Sequence, residues 1–83
     1  MMGARVYILL DVVDGKSEQV AQTLRGKPGV VNVDQLDGPP EVIMVVEAYD
    51  RQQLAELTIQ ALTSVETMTE GLQLLSTKDR CYT

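Results

Sequence analysis

The sequence predicts an α+β fold of the ferredoxin-like kind. The order is β-α-β-β-α-β, and the four strands form one antiparallel sheet with both helices on one face. Three observations predict it. Two stretches carry the apolar period of a helix, and they alternate with runs that carry the period of strands. The second and third strand runs are joined directly by Asp37-Gly38-Pro39-Pro40, a dense set of turn residues. The first and third runs are also the most continuously apolar, as central strands are, whereas the second and fourth are more polar, as edges are.

The elements follow in chain order. Arg5 to Val13 reads as the first strand, with Val6, Ile8, Leu10 and Val12 on one face and Tyr7, Leu9, Asp11 and Val13 on the other. Asp14-Gly15 ends it. Asp14 or Ser17 is expected to cap a helix that runs to about Arg25 and buries Val20, Ala21 and Leu24. Gly26 and Pro28-Gly29 stop that helix. Val30 to Leu36 is the second strand and Glu41 to Ala48 the third. Asp50 then caps a second helix, with Gln53 at the capping-box position. Its stripe is Leu54, Leu57, Ala61 and Leu62, widened by Ala55, Ile59 and Val65. Thr67 to Ser76 is the fourth strand, and residues 78–83 are expected to be a flexible tail.

Composition narrows the function. Eighty-three residues make a single domain, 1–83. A chain of this size buries only about 60–65% of its unfolded surface, so its core is thin. There is no Trp or Phe, so Val, Leu, Ile, Ala and Met must build that core. The net charge of −5 opposes binding to phosphate backbones and to anionic membranes, so neither nucleic acid nor membrane is expected as a partner. No apolar run approaches the ~20 residues that cross a bilayer. Met1 to Arg5 is too short and polar for a signal peptide, and a cytoplasmic location is expected. The single cysteine, Cys81, makes no internal disulfide and reads as an incidental thiol. The absence of His removes the commonest acid–base catalyst and metal ligand. The carboxylates and Cys81 show no metal-site spacing, and no glycine-rich phosphate loop appears. No cofactor, metal or catalytic residue is therefore expected.

Two helices cover one face of the sheet. The other shows Tyr7, Leu9, Val13, Ile43 and Val45, interrupted by Asp11 and Glu47. An apolar patch of this kind marks an interface. Two sheets packed face to face would bury it, so a homodimer or higher homo-oligomer is expected, with Tyr7, Leu9, Ile43 and Val45 at its interface. Asp11 and Glu47 read as a polar rim or an ion pair with Arg5 rather than as a catalytic pair. Met44 and Met68 read as packing residues.

Pro28-Gly29-Val30-Val31-Asn32-Val33, Gly38 in the hairpin and the apolar strand Val42 to Val46 form an ordered set. Asp14-Gly15-Lys16, Asp50 and Thr67-Met68-Thr69 extend it. Over Val6 to about Thr77 this set resembles the effector-binding domain, or RAM domain, of the Lrp/AsnC regulators. The resemblance is to a stand-alone version, since the chain starts at the sensor's first strand without a helix-turn-helix. It implies a dimeric α+β barrel, further assembly into rings, a small amino acid or related metabolite bound between dimers, and transcription regulation through assembly. It also implies full-length Lrp/AsnC-family regulators as partners. The family hairpin tends to read Gly-x-aromatic-Asp; here it reads Gly38-Pro39-Pro40-Glu41, which implies a smaller site. A Pro-Gly-Val segment common before the family's fourth strand is absent.

On this reading Gly38, Glu41, Thr67 and Thr69 are the candidate ligand residues. Gly38 also suits a turn needing positive φ. Glu41 is acceptor-only when ionised and fits an α-ammonium group, while Thr67 and Thr69 offer hydroxyls to a carboxylate. The expected function is a non-enzymatic sensing module. The alternatives are a structural assembly module without ligand, an ACT-like regulatory domain, or a small dimeric α+β barrel enzyme. Enzymes of that last kind use a His, an Asn/Trp pair or a haem ligand, and this chain has neither His nor Trp.

Overall fold

In the computed structural model, which describes residues 3–76, the element order is β-α-β-β-α-β. The elements are β1 (Ala4–Val12), α1 (Ser17–Arg25), β2 (Val30–Gln35), β3 (Val42–Ala48), α2 (Arg51–Ser64) and β4 (Thr69–Ser76). The expected tail at 78–83 and Cys81 lie outside the described residues. The four strands form one sheet in the order β2-β3-β1-β4, and every pairing is antiparallel. β1 and β3 are central, as their apolar character requires.

Strand alternation decides which side chains are buried. Val6, Ile8, Leu10 and Val12 of β1 point toward the helices, as do Val42, Met44 and Val46 of β3. They meet Val20, Ala21 and Leu24 of α1, and Ala61 and Val65 at the end of α2. Ile8, Leu10, Leu24, Met44, Val20, Val42, Val46 and Val65 are fully buried. Each such side chain contributes about 1.5–3 kcal/mol by leaving water. α1 packs on β2 and β3, and α2 on β3 and β1; β4 packs chiefly on β1. The helix layer therefore stops short of β4.

Several boundaries differ from the sequence expectation. Neither Asp14 nor Ser17 caps α1. Its N-cap is Lys16, with no side-chain bond, because Val13 to Lys16 forms a turn closed by the Lys16 amide on the Val13 carbonyl at 3.0 Å. Gly15 takes φ +81 in that turn, as its third position demands. Asp50 does cap α2, accepting from the Gln53 amide at 2.8 Å. Gln53 reaches back one residue further than a capping box requires, to the Tyr49 amide at 3.0 Å.

The buried stripe of α2 also differs. Ala55 and Ile59 are exposed, Ile59 at 63%. Thr58 takes the buried position instead, with its hydroxyl unpartnered. Thr67 is not in the last strand but in a 3-10 turn, Glu66–Met68, and β4 begins at Thr69. Similarly, β3 begins at Val42 rather than Glu41.

Pro28 and Gly29 occupy the middle of a turn from Lys27 to Val30, with Gly29 at φ +84. A Cβ on Gly29 would lie 2.6 Å from Leu57 Cδ1 and 3.3 Å from the Glu47 carbonyl oxygen. Gly29 is thus both the turn residue and the point at which α2 closes on the sheet.

Candidate ligand corner and sheet interface

The hairpin between β2 and β3 is closed by the Leu36 amide on the Glu41 carbonyl at 2.7 Å. Glu41 then ties this hairpin to β1 twice. Its amide donates to the Leu10 carbonyl at 3.0 Å, and its Oε1 accepts from the Val12 amide at 2.9 Å. Val12 pairs with Thr69 across the β1–β4 ladder, where the register shifts. Val13 donates to the Met68 carbonyl at 2.8 Å. Glu41, on the β3 side of Val12, and Thr69, on its β4 side, therefore lie at the same end of the sheet with β1 between them.

The four candidate ligand residues are not equally placed. Thr69 Oγ1 donates to the Val65 carbonyl at 2.7 Å, so it offers lone pairs rather than a proton. Thr67 is exposed on the 3-10 turn and does not share a strand face with Thr69. Gly38 is exposed, its φ is not in the left-handed region, and a Cβ there would meet nothing within 4 Å. The positive-φ reason for Gly38 is thus corrected. Glu41 is half-buried and has one carboxylate oxygen engaged. Beside Thr69 lies a depression of about 390 Å³ lined by Leu62, Thr63, Glu66, Glu70, Gly71 and Leu72. The sequence reading missed it, although Glu66 and Glu70 bracket Thr67 and Thr69. Among the described residues no cluster of three or more Asp, Glu, Cys or His could hold a metal. No helix of the described residues is long and apolar enough to cross a membrane.

The bare sheet face is laid out by the register. Tyr7 sits between Val45 and Leu75, and Leu9 between Ile43 and Gln73. Val45 is already 8% exposed within this layer, while Tyr7, Leu9 and Ile43 are half-buried. β2 adds Asn32 beside Val45 and Asp34 beside Ile43, and the Asn32 amide donates to Asp34 at 3.1 Å. At one end Arg5 forms an ion pair with Glu47, the pairing the sequence pointed to. The Arg5 guanidinium is held above its ordinary pKa first by its hydrogen bond to the Tyr7 hydroxyl and then by Glu47. At the other end Asp11 lies opposite Gly71. An apolar centre with a polar rim results, which is the anatomy of a protein interface. Leu75 belongs to this centre; its odd parity with Gln73 was the available signal.

No protein-family model and no curated protein matches the sequence. Solved structures do match the fold. The hypothetical protein PHS023 from Pyrococcus horikoshii superposes with a TM-score of 0.79 at 18% identity, over 88% of this chain and 87% of that one. The transcriptional regulator NMB0573 from Neisseria meningitidis, solved as a complex with L-Met, gives 0.68 at 15% identity, over 88% of this chain and 48% of its own. The transcriptional regulatory protein PF0864 from Pyrococcus furiosus, a member of the AsnC family, gives 0.62 at 17%, over 89% and 49%. The chain spans about half the length of these two regulators. It has, over nearly all of its length, the fold that the Lrp/AsnC resemblance implied.

Proposed function

We propose that the chain is a non-enzymatic regulatory module that assembles through its bare sheet face and binds a small amino acid or related metabolite at the Glu41–Thr69 corner. Occupancy would then be coupled to assembly, and assembly to transcription regulators of the same fold. The observation that carries the proposal is the tie from Glu41 through Val12 to Thr69. It places a carboxylate and a hydroxyl oxygen at the sheet end of a fold shared with a regulator solved with L-Met.

The free oxygen of Glu41 accepts the ligand's ammonium group, and Thr69 Oγ1, across β1 from it, offers an acceptor to a polar group farther along the ligand. Donors for the ligand's carboxylate come from Thr67 rather than from Thr69, whose proton is committed to Val65. The lack of His and Trp supports the absence of catalysis.

Titration calorimetry of the full chain with L-methionine and the other common amino acids tests this, together with Glu41→Gln and Glu41→Ala. Glu41→Gln keeps an acceptor for the Val12 amide and removes the charge. The proposal expects binding by the unmodified chain and at least about tenfold weaker binding by Glu41→Gln with its fold intact, since a lost charged hydrogen bond costs about 1.5–3 kcal/mol. Unchanged binding in Glu41→Gln would remove Glu41 from the site. No binding by any amino acid at millimolar concentration would leave a structural assembly module.

A further inference from the structure

The charges on the bare sheet face do not balance. Strand alternation puts Arg5 and Asp11 of β1, Asp34 of β2 and Glu47 of β3 on that face, because Val6, Val12, Val33 and Val46 beside them turn into the core. Arg5 is engaged by Glu47. Asp34 accepts only from the Asn32 amide, at 3.1 Å. A Cβ on Gly71, opposite Asp11, would lie 3.4 Å from Asp11 Oδ2, so this carboxylate rests against β4 at the edge of the apolar centre. The other described cations, Lys16, Arg25, Lys27 and Arg51, belong to the two helices and the turns at their ends, and Arg25 is turned to the Val33 carbonyl. Among the described residues, the face therefore carries three carboxylates against one guanidinium, an excess of two negative charges.

Arg5 does not offset the two aspartates. It lies opposite Glu47 at one end of β1, whereas Asp11 lies at the other end and Asp34 stands beside Ile43. The strand from Arg5 to Asp11 is about 20 Å long at roughly 3.3 Å per residue, which is about two Debye lengths at about 0.1 M salt. Two sheets packed face to face lie only about 10 Å apart, so the rim of one face acts on the rim of the other within about one Debye length. When the second face is identical, the same excess of negative charge meets itself, whichever way the copy is turned. The apolar centre attracts any similar face, and the charges around it decide between faces.

We propose that the preferred occupant of this face is the sheet face of a different protein of the same fold, one whose rim carries Lys or Arg where this chain carries Asp11 and Asp34. The apolar centre still lets the chain pair with itself. The two aspartates weaken that pair and favour exchange of one copy for a partner with a basic rim. Asp11 and Asp34 are thus the residues that set partner choice, and Tyr7, Leu9, Ile43 and Val45 those that hold any partner. The inference rests on the face pairing of the proposed function and names the chemistry of the regulator that would join it.

A charge-reversed copy of the full chain, Asp11→Lys with Asp34→Lys, serves as the basic-rimmed partner. Both aspartates are exposed, so the lysines are tolerated in the fold. Equal amounts of this variant and the unmodified chain are mixed, and native mass spectrometry counts unmixed and mixed dimers. Mixed dimers are expected to dominate at about 0.1 M salt and to fall toward the random proportion at about 1 M, where the Debye length is about 3 Å. At the lower salt their Kd should lie at least about tenfold below that of the unmodified homodimer. Glu18→Lys with Glu56→Lys makes the same change in net charge on the helices and should mix at random. Asp11→Asn with Asp34→Asn removes the charge and keeps the shape, so its homodimer should be tighter than the unmodified one. Random mixing with the face variant, or an equal excess with the helix variant, would overturn the proposal and leave a second copy as the occupant. A homodimer of the Asn variant no tighter than the unmodified one would do the same. An unmodified chain that forms no dimer would instead remove the face pairing itself, and this inference with it.

Discussion

Replacing Gly29 with Ala tests how α2 is seated on the sheet. Two costs combine there. The backbone at φ +84 is left-handed, which costs an L-residue roughly 1–2 kcal/mol. The new Cβ would also lie 2.6 Å from Leu57 Cδ1 and 3.3 Å from the Glu47 carbonyl oxygen. Leu57 is half-buried, so its side chain yields in part, but the Glu47 carbonyl belongs to β3 and does not. Overpacking of this kind costs about 1–3 kcal/mol. A sum of about 2–5 kcal/mol is a large share of the roughly 4–12 kcal/mol expected for 83 residues at about 0.05–0.15 kcal/mol each. Gly15 supplies the control. It sits at φ +81, but a Cβ there meets nothing within 4 Å, so Gly15→Ala incurs the backbone cost alone. Urea denaturation of both variants by circular dichroism, at one fixed protein concentration, measures the difference. Gly29→Ala should be less stable than Gly15→Ala by about 1–3 kcal/mol. Equal stabilities would refute the claim that Gly29 is a contact point for α2.

Three other substitutions or assays follow from the same geometry. Thr58→Val removes a buried hydroxyl that has no partner, and should raise the urea midpoint by an amount worth about 1 kcal/mol; a lower midpoint would show that the hydroxyl is satisfied in solution. Asp50→Ala loses the bond to the Gln53 amide and should cost about 1 kcal/mol in the same assay, with amides at the start of α2 exchanging faster. The chain alone should not bind DNA, even in a mobility-shift assay at low salt, because its net charge is −5; tight, sequence-dependent binding there would contradict this.

What the sequence reveals and what it hides divide along physical lines. The two-residue period through Val6, Ile8 and Leu10 and through Val42, Met44 and Val46 is a local signal, and the sheet order follows from it. Thr58 was hidden because it is polar, although it stands four residues after Leu54 and three before Ala61, squarely on the buried stripe. Ile59 misled for the opposite reason: it is apolar, but one step around the helix from that stripe, and faces water. Backbone turns displaced two boundaries. The Val13–Lys16 turn starts α1 without a side-chain cap, and the bond from the Met68 amide to the Val65 carbonyl holds Thr67 out of the last strand. The tie between Glu41 and Val12 spans 29 positions and leaves no periodic trace in the chain. Leu72 and Leu74 of β4 were readable as apolar, but their exposure depends on where the helix layer stops.

The central claim is that the bare sheet face joins copies of this chain. Sedimentation of the unmodified chain and of Ile43→Lys at micromolar concentration tests it most directly. Ile43 is half-buried on the bare face and outside the helix-covered core, so the lysine is tolerated in a folded monomer but is buried without a partner in a face-to-face pair. The account predicts a dimer or larger assembly for the unmodified chain, and a folded monomer for Ile43→Lys. A compact, stable monomer of the unmodified chain, or an Ile43→Lys variant that sediments as the same assembly, would contradict it.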